Sequence, residues 1–532
     1  MRGTRWVART GSGRYVRWMS HGQQAATGPE VATASGRVRG AWRYHVSADA
    51  TVSTHAVFRG IPFAAPPVGP LRFAAPAPPA PWEGTRDAVA YGPTAQRMTP
   101  YAFPRIPEPS VPGDDILTVN VTTPDPAVGA NLPVLVWIHG GGFEGGSPAS
   151  PWYEGGAFAR DGVVVVTLAY RLAFEGFGWI DGGVNNRAVR DWLAGLEWVQ
   201  ENVSAFGGDP ARVTIGGQSA GGAAALRLLT MPVARSLFSG VLAISPPDAS
   251  ITVEQAREAS GRVARAVGAP QPSLAAFEAV DHDALWEARE ASSPPPQSAD
   301  DILTGGTLML APVIDGDLIP DTAAQALVDG VGSDKTLFMG STAHEFRHLV
   351  GEVRSAVGDG PAQEVLERNG LPAELAAELV AREGGRGAAW VLGMAISDAI
   401  FRAPVAGLAS LRASATAPTW VYDFRWESRS PSIDGAAHCV DVPFGFDILG
   451  GAGVDQLTGR APQSLADAVH ADWLSLVTDG KIDAPPHRDG YATIVYGDDG
   501  RRIVTPGYRI ERKLWEVIHG RVPPPEPTIA VR

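Results

Sequence analysis

The stretch RVTIGGQSAGGAAALRLL, residues 212–229, holds a short apolar run, then Gly217-Gln218-Ser219-Ala220-Gly221, then a run rich in alanine and leucine. The first part reads as a buried strand and the last as a helix. G-x-S-x-G between the two is the pattern of a sharp strand-to-helix turn that lifts a serine hydroxyl above a sheet edge. Glycine is needed where backbone must pass close to backbone. The incoming helix also aims its free N–H groups at the turn. A glycine-rich turn holding an ordinary serine would look the same, so the surroundings have to decide.

Runs of the same kind recur on both sides. LPVLVWI (132–138), GVVVVTLAY (162–170), SGVLAIS (239–245), KTLFMG (335–340) and TWVYDF (419–424) are near-continuous in apolar residues. That is the pattern of strands covered on both faces. Helical stretches such as VRDWLAGLEWVQENV (189–203) separate them. Strand-helix alternation predicts an α/β fold with a doubly wound, mostly parallel sheet and helices on both faces. The region from about 250 to 400 is richer in helix and is expected to form a cap-like insertion.

Composition narrows the function classes. The chain has 532 residues, 45% of them hydrophobic, enough for a large core. A net charge of −13 argues against nucleic acid or an anionic membrane as partner. Cys439 is the single cysteine, so no intramolecular disulfide exists, which fits a reducing, cytoplasmic setting. No uninterrupted apolar run approaches the length of a membrane span. Residues 1–28 carry five arginines and no acid, and lack the apolar core of a secretory signal. They read as a disordered basic tail ahead of one domain, 29–532.

A second glycine pattern follows the strand at 132–138: His139-Gly140-Gly141-Gly142. Such a loop brings backbone N–H groups close to a carbonyl oxygen that becomes anionic during acyl transfer. A base and an acid should then follow the serine in the order Asp/Glu, then His. Histidines late in the chain are His438, His470, His487 and His519; Asp315 and Glu345 compete as the acid. Asp315 sits in a P-x-x-D-G turn, where a structural role is expected. Glu345 follows a strand, but Thr342-x-x-Glu345 is also a helix capping box. The same stretch, STAHEFRHLV (341–350), contains His344-Glu345-x-x-His348, the zinc-peptidase pattern. A third ligand would have to come from acids such as Glu364 or Glu367.

Several segments together resemble the type B carboxylesterase family, the esterases and lipases related to cholinesterases. They are FRGIPFAAPPVGPLRF (58–73), FGGDPARVTIGGQSAGG (206–222), PVIDGDLIP (312–320) and GAAHCVDVPFGF (435–446). The resemblance implies the α/β-hydrolase fold and cleavage of small-molecule carboxylic esters, with water as co-substrate. It implies Ser219 as nucleophile, His438 as base and Glu345 as acid. Gly141, Gly142 and Ala220 would form the oxyanion hole. It implies no cofactor and no metal, and makes Asp441 a structural acid. Amides, carbamates or lactones are alternative substrates for the same machinery. A non-catalytic binding protein on this fold and a zinc peptidase are the remaining alternatives. Three departures stand out. Ile116 replaces a family cysteine, AYRLA (169–173) replaces N-Y-R-L-G, and Gln218 stands where cholinesterases carry glutamate.

Overall fold

The computed structural model describes residues 28–95, 106–292, 310–347, 349–351, 360–383 and 385–520. The expected basic tail and His348 lie outside them. Eleven strands form the central sheet: β1 (Ala41–Val46), β2 (Val52–Pro62), β3 (Thr118–Thr123), β4 (Leu132–Ile138), β5 (Val164–Leu168), β6 (Gly208–Gln218), β7 (Gly240–Ile244), β8 (Thr336–Thr342), β9 (Thr419–Phe424), β10 (Thr493–Gly497) and β11 (Gly500–Val504). Their spatial order is β11-β10-β9-β8-β7-β6-β4-β5-β3-β2-β1. The seven from β10 to β5 are parallel, and the strands at both edges are antiparallel.

Why the central strands read as unbroken apolar runs is visible in their packing. Along β4, Val134, Val136 and Ile138 enter the core on one face while Leu135 and Trp137 enter the core on the other. β7 divides likewise, with Val241 and Ala243 on one face and Leu242 and Ile244 on the other. Both faces are covered, so neither phase of the two-residue period is polar.

The chain runs from β4 outward to β5, then returns to place β6 on the other side of β4. The strand order reverses between β4 and β6. In an open α/β sheet the crevice beyond the carboxyl ends at that point is the natural ligand site. The H-G-G-G loop leaves β4 there and Ser219 leaves β6 there.

The helix-rich region 250–400 is divided by β8, the strand anticipated at 335–340, which lies in the interior of the sheet. In addition, one helical stretch, Ala388–Leu411, is long and apolar enough to cross a membrane despite Asp398 and Arg402. An 18-residue apolar window of it is 94% buried inside the protein, as in a core helix.

Candidate active site

Ser219 is the only residue between β6 and the helix Ala220–Leu229, and it sits at φ 58°, ψ −125°. A non-glycine residue in such a conformation costs roughly 1–3 kcal/mol and persists only where its surroundings enforce it. Here the enforcement is close packing. A Cβ on Gly217 would lie 2.4 Å from the Gly221 backbone and 2.6 Å from the Ile138 carbonyl oxygen. One on Gly221 would lie 2.0 Å from that same oxygen. Both glycines of the motif therefore let the turn seat directly on the end of β4. The Ser219 N–H donates to the Ile244 carbonyl at 2.8 Å, tying the turn to β7 as well.

The glycine loop after β4 is just as tight. Gly141 and Gly142 have φ of 108° and 62°. The Gly141 carbonyl accepts from the N–H groups of Glu144 and Gly145 at 3.0 and 2.9 Å, closing a turn. Among the described residues, no acceptor meets the N–H groups of Gly141, Gly142 or Ala220. Glu144, next to the loop, forms an ion pair with Arg289 on the helix His282–Ala291.

Glu345 and His438 come from the ends of neighbouring parallel strands. Glu345 lies three residues beyond β8, fully buried. His438 lies in the long connection after β9. Its Nδ1 pairs with Glu345 Oε2, and its backbone N–H donates to the Glu345 carbonyl at 3.1 Å. The other carboxylate oxygen, Oε1, accepts the Thr342 N–H at 2.7 Å. This is half of the capping box anticipated from the sequence. The reciprocal half is missing, since the Thr342 hydroxyl has no partner. One carboxylate thus anchors to its own strand end and to the imidazole at once.

Burial alone would raise the Glu345 pKa. The neighbouring His438, with the Ser245 hydroxyl and the Thr342 N–H, outweighs burial and holds it below the ordinary carboxylate range. Phe346 and Phe401 pack against the imidazole at centroid distances of 4.9 and 4.7 Å, fixing its plane. A buried ionic cluster supports the strand end from behind. Arg402 bonds Asp423 at 2.8 Å, Glu511 at 2.9 Å and the Thr342 carbonyl at 3.0 Å. These residues carry no sequence motif, so sequence reasoning missed them.

The serine turn and the His438–Glu345 pair meet through Gln218. Its side-chain Nε2 lies 3.0 Å from His438 Nε2. The imidazole is thereby docked against the residue immediately before Ser219. Asp441 is buried nearby and accepts from the Tyr422 hydroxyl at 2.8 Å. Burial, then the charge of Glu345, pushes its pKa up to about 7. Asp315 caps a turn, accepting from the N–H groups of Asp317 and Ile319 and from Asn186. His470 bonds the Gly445 carbonyl at 2.8 Å and Asp161 at 3.0 Å.

The zinc pattern has a different geometry from the one it needs. Ala343–Arg347 is a turn, with His344 in an isolated bridge to Ala437, rather than a helix presenting two imidazoles. His344 Nδ1 accepts the Ala436 N–H at 3.0 Å, and Glu345 is committed to His438. Among the described residues no three His, Cys, Asp or Glu side chains converge as metal ligands.

A doubly wound parallel sheet with its serine turn at the switch point is the architecture of the α/β-hydrolases. A sequence model described as the carboxylesterase family matches residues 27–483. Para-nitrobenzyl esterase of Bacillus subtilis is 34% identical over 437 residues, covering 80% of this chain and 86% of that one. Phenmedipham hydrolase of Pseudarthrobacter oxydans is 34% identical over 481 residues, covering 84% and 92%. Among solved structures, a PNB esterase superposes with TM-score 0.76 at 28% identity, covering 92% of this chain and 99% of that one. The chain belongs to the carboxylesterase family and is a carboxylic ester hydrolase.

Proposed function

We propose that the chain cleaves small-molecule carboxylic esters by two-step acyl transfer with Ser219, His438 and Glu345 as its triad. The observation that carries this is the His438–Glu345 pair held against the residue before a strained serine turn. Ser219 Oγ attacks the ester carbonyl carbon, and His438 Nε2 takes the hydroxyl proton. Glu345 fixes the Nδ1–H tautomer and stabilises the imidazolium. The N–H groups of Gly141, Gly142 and Ala220 receive the oxyanion. His438 then protonates the leaving alcohol, and water, deprotonated by the same ring, releases the acid.

A panel of chromogenic esters of increasing acyl length, run on wild type and Ser219→Ala, tests the reading. Turnover of the short esters by wild type alone supports it; equal turnover by both rejects it.

The oxyanion assignment has its own consequence. A Cβ on Gly141 would lie 2.2 Å from the Gly145 carbonyl oxygen, so the loop has to shift. Gly141→Ala should lower kcat by at least about 10²-fold, the cost of losing one oxyanion donor. Gly450→Ala is the control, since a Cβ there meets nothing within 4 Å. Equal kcat in the two variants would remove Gly141 from the oxyanion site.

The pH dependence follows from the pair. Glu345 has a lowered pKa, so its carboxylate persists as pH falls through neutrality and is lost only below the ordinary carboxylate range. Because the proposed cycle needs a general base, kcat/KM for a chromogenic ester should fall as pH is lowered. A profile that stays flat on acidification would contradict a general base.

A further inference from the structure

Gln218 is buried, with 1% exposure, between the serine turn and the imidazole. Glu345 holds His438 Nδ1, so with the proton there Nε2 is a bare lone pair. Only a donor can face a lone pair at 3.0 Å, and the Gln218 amide supplies one. This is the lone pair that must accept the Ser219 proton. The other end of the amide, Oε1, faces Gly140. A Cβ on Gly140 would lie 3.1 Å from Oε1 and 2.6 Å from the Gln218 backbone oxygen. Glycine at 140 therefore leaves the amide space to turn about its terminal torsion, which is broad and nearly two-fold. Turned over, the amide presents an acceptor to Nε2–H.

Building on the triad reading above, we propose that Gln218 is a positioning residue that serves both protonation states of His438. Its amide donates to the neutral ring of the resting enzyme and yields Nε2 to the Ser219 hydroxyl when substrate binds. Turned over, it can accept from the Nε2–H of a protonated ring in the free enzyme; in the tetrahedral intermediate that N–H goes to the leaving oxygen. A carboxylate at this position could only accept, and would bias the ring toward its charged form. Among the described residues, charged groups that act on His438 include Glu345, on the Nδ1 side, and Asp441. Phe346 and Phe401 cover the ring, and Cys439 adjoins it in the chain. At position 218 the wild type presents a neutral partner.

The test compares Gln218→Glu with Gln218→Met, which keeps the length and loses both hydrogen-bonding ends. Two readouts are taken: kcat/KM against pH with a chromogenic ester, and NMR titration of the His438 ring in a Ser219→Ala background. Gln218→Glu should raise the midpoint by about one pH unit or more in both readouts. Gln218→Met should leave the midpoint in place and lower kcat with KM unchanged. An unmoved midpoint in Gln218→Glu overturns the proposal, as does wild-type kcat in Gln218→Met. Should Gln218→Glu fail to fold, the Gln218→Met kcat decides alone. The NMR titration needs no turnover, so it reports on Gln218 even if Ser219→Ala proves active and the triad reading falls.

Discussion

Ser219→Ala is expected to lower ester hydrolysis by about 10⁶-fold, to a rate near the buffer background. The hydroxyl is the only group of the serine turn with a nucleophilic oxygen, and the acyl-enzyme cannot form without it. The fold should survive. Alanine keeps the backbone conformation that the Gly217 and Gly221 contacts impose, and loses one partly exposed oxygen. An unchanged melting temperature together with lost turnover is the expected result, read by circular dichroism and a chromogenic ester. Retained turnover in pure protein would remove the covalent step from the mechanism.

Glu345→Gln is expected to cost about 10⁴-fold in kcat with little change in KM. Glutamine keeps an oxygen for the Thr342 N–H, so the strand end stays anchored. What changes is the face toward His438. An amide N–H there favours the tautomer with the proton on Nε2, which leaves no base for Ser219. The charge that stabilises the imidazolium is lost as well. His344→Ala separates this account from the zinc pattern that shares its residues. Its ring accepts one backbone N–H, from Ala436. Losing that bond should cost about 1 kcal/mol of stability and less than tenfold in kcat. A metal role would instead make His344 as essential as Glu345 and make chelators inhibitory.

The sequence displays the local parts of this design and hides the contacts between them. The central strands are legible because both their faces are buried, so β4 and β9 fall where the apolar runs predict. The serine turn is legible because glycine is compulsory where Gly217 and Gly221 meet the Ile138 carbonyl. Glu345 is harder. Its capping-box reading and its triad reading both hold in part, since one oxygen does each task. No pattern within a few residues could separate them, because His438 is 93 residues away in the chain. The Arg402 cluster draws on β8, β9 and the C-terminal helix Arg509–His519, and only the tertiary fold brings them together. Gln218 is visible in the sequence as a departure from cholinesterases, yet its contact with the imidazole depends on where the loop after β9 lands. The antiparallel edge strands β1 and β11 have exposed, polar-mixed sequences that give no strong strand signal.

The central claim is that Ser219 is the nucleophile, and covalent trapping tests it most directly. The wild type is treated with a fluorophosphonate, and the adduct is measured by intact mass and located by peptide mapping. The account predicts one adduct per chain, on Ser219, formed in step with loss of ester turnover and absent from Ser219→Ala. An adduct on another residue that tracks the loss of activity, or full labelling of Ser219 with turnover intact, would contradict it.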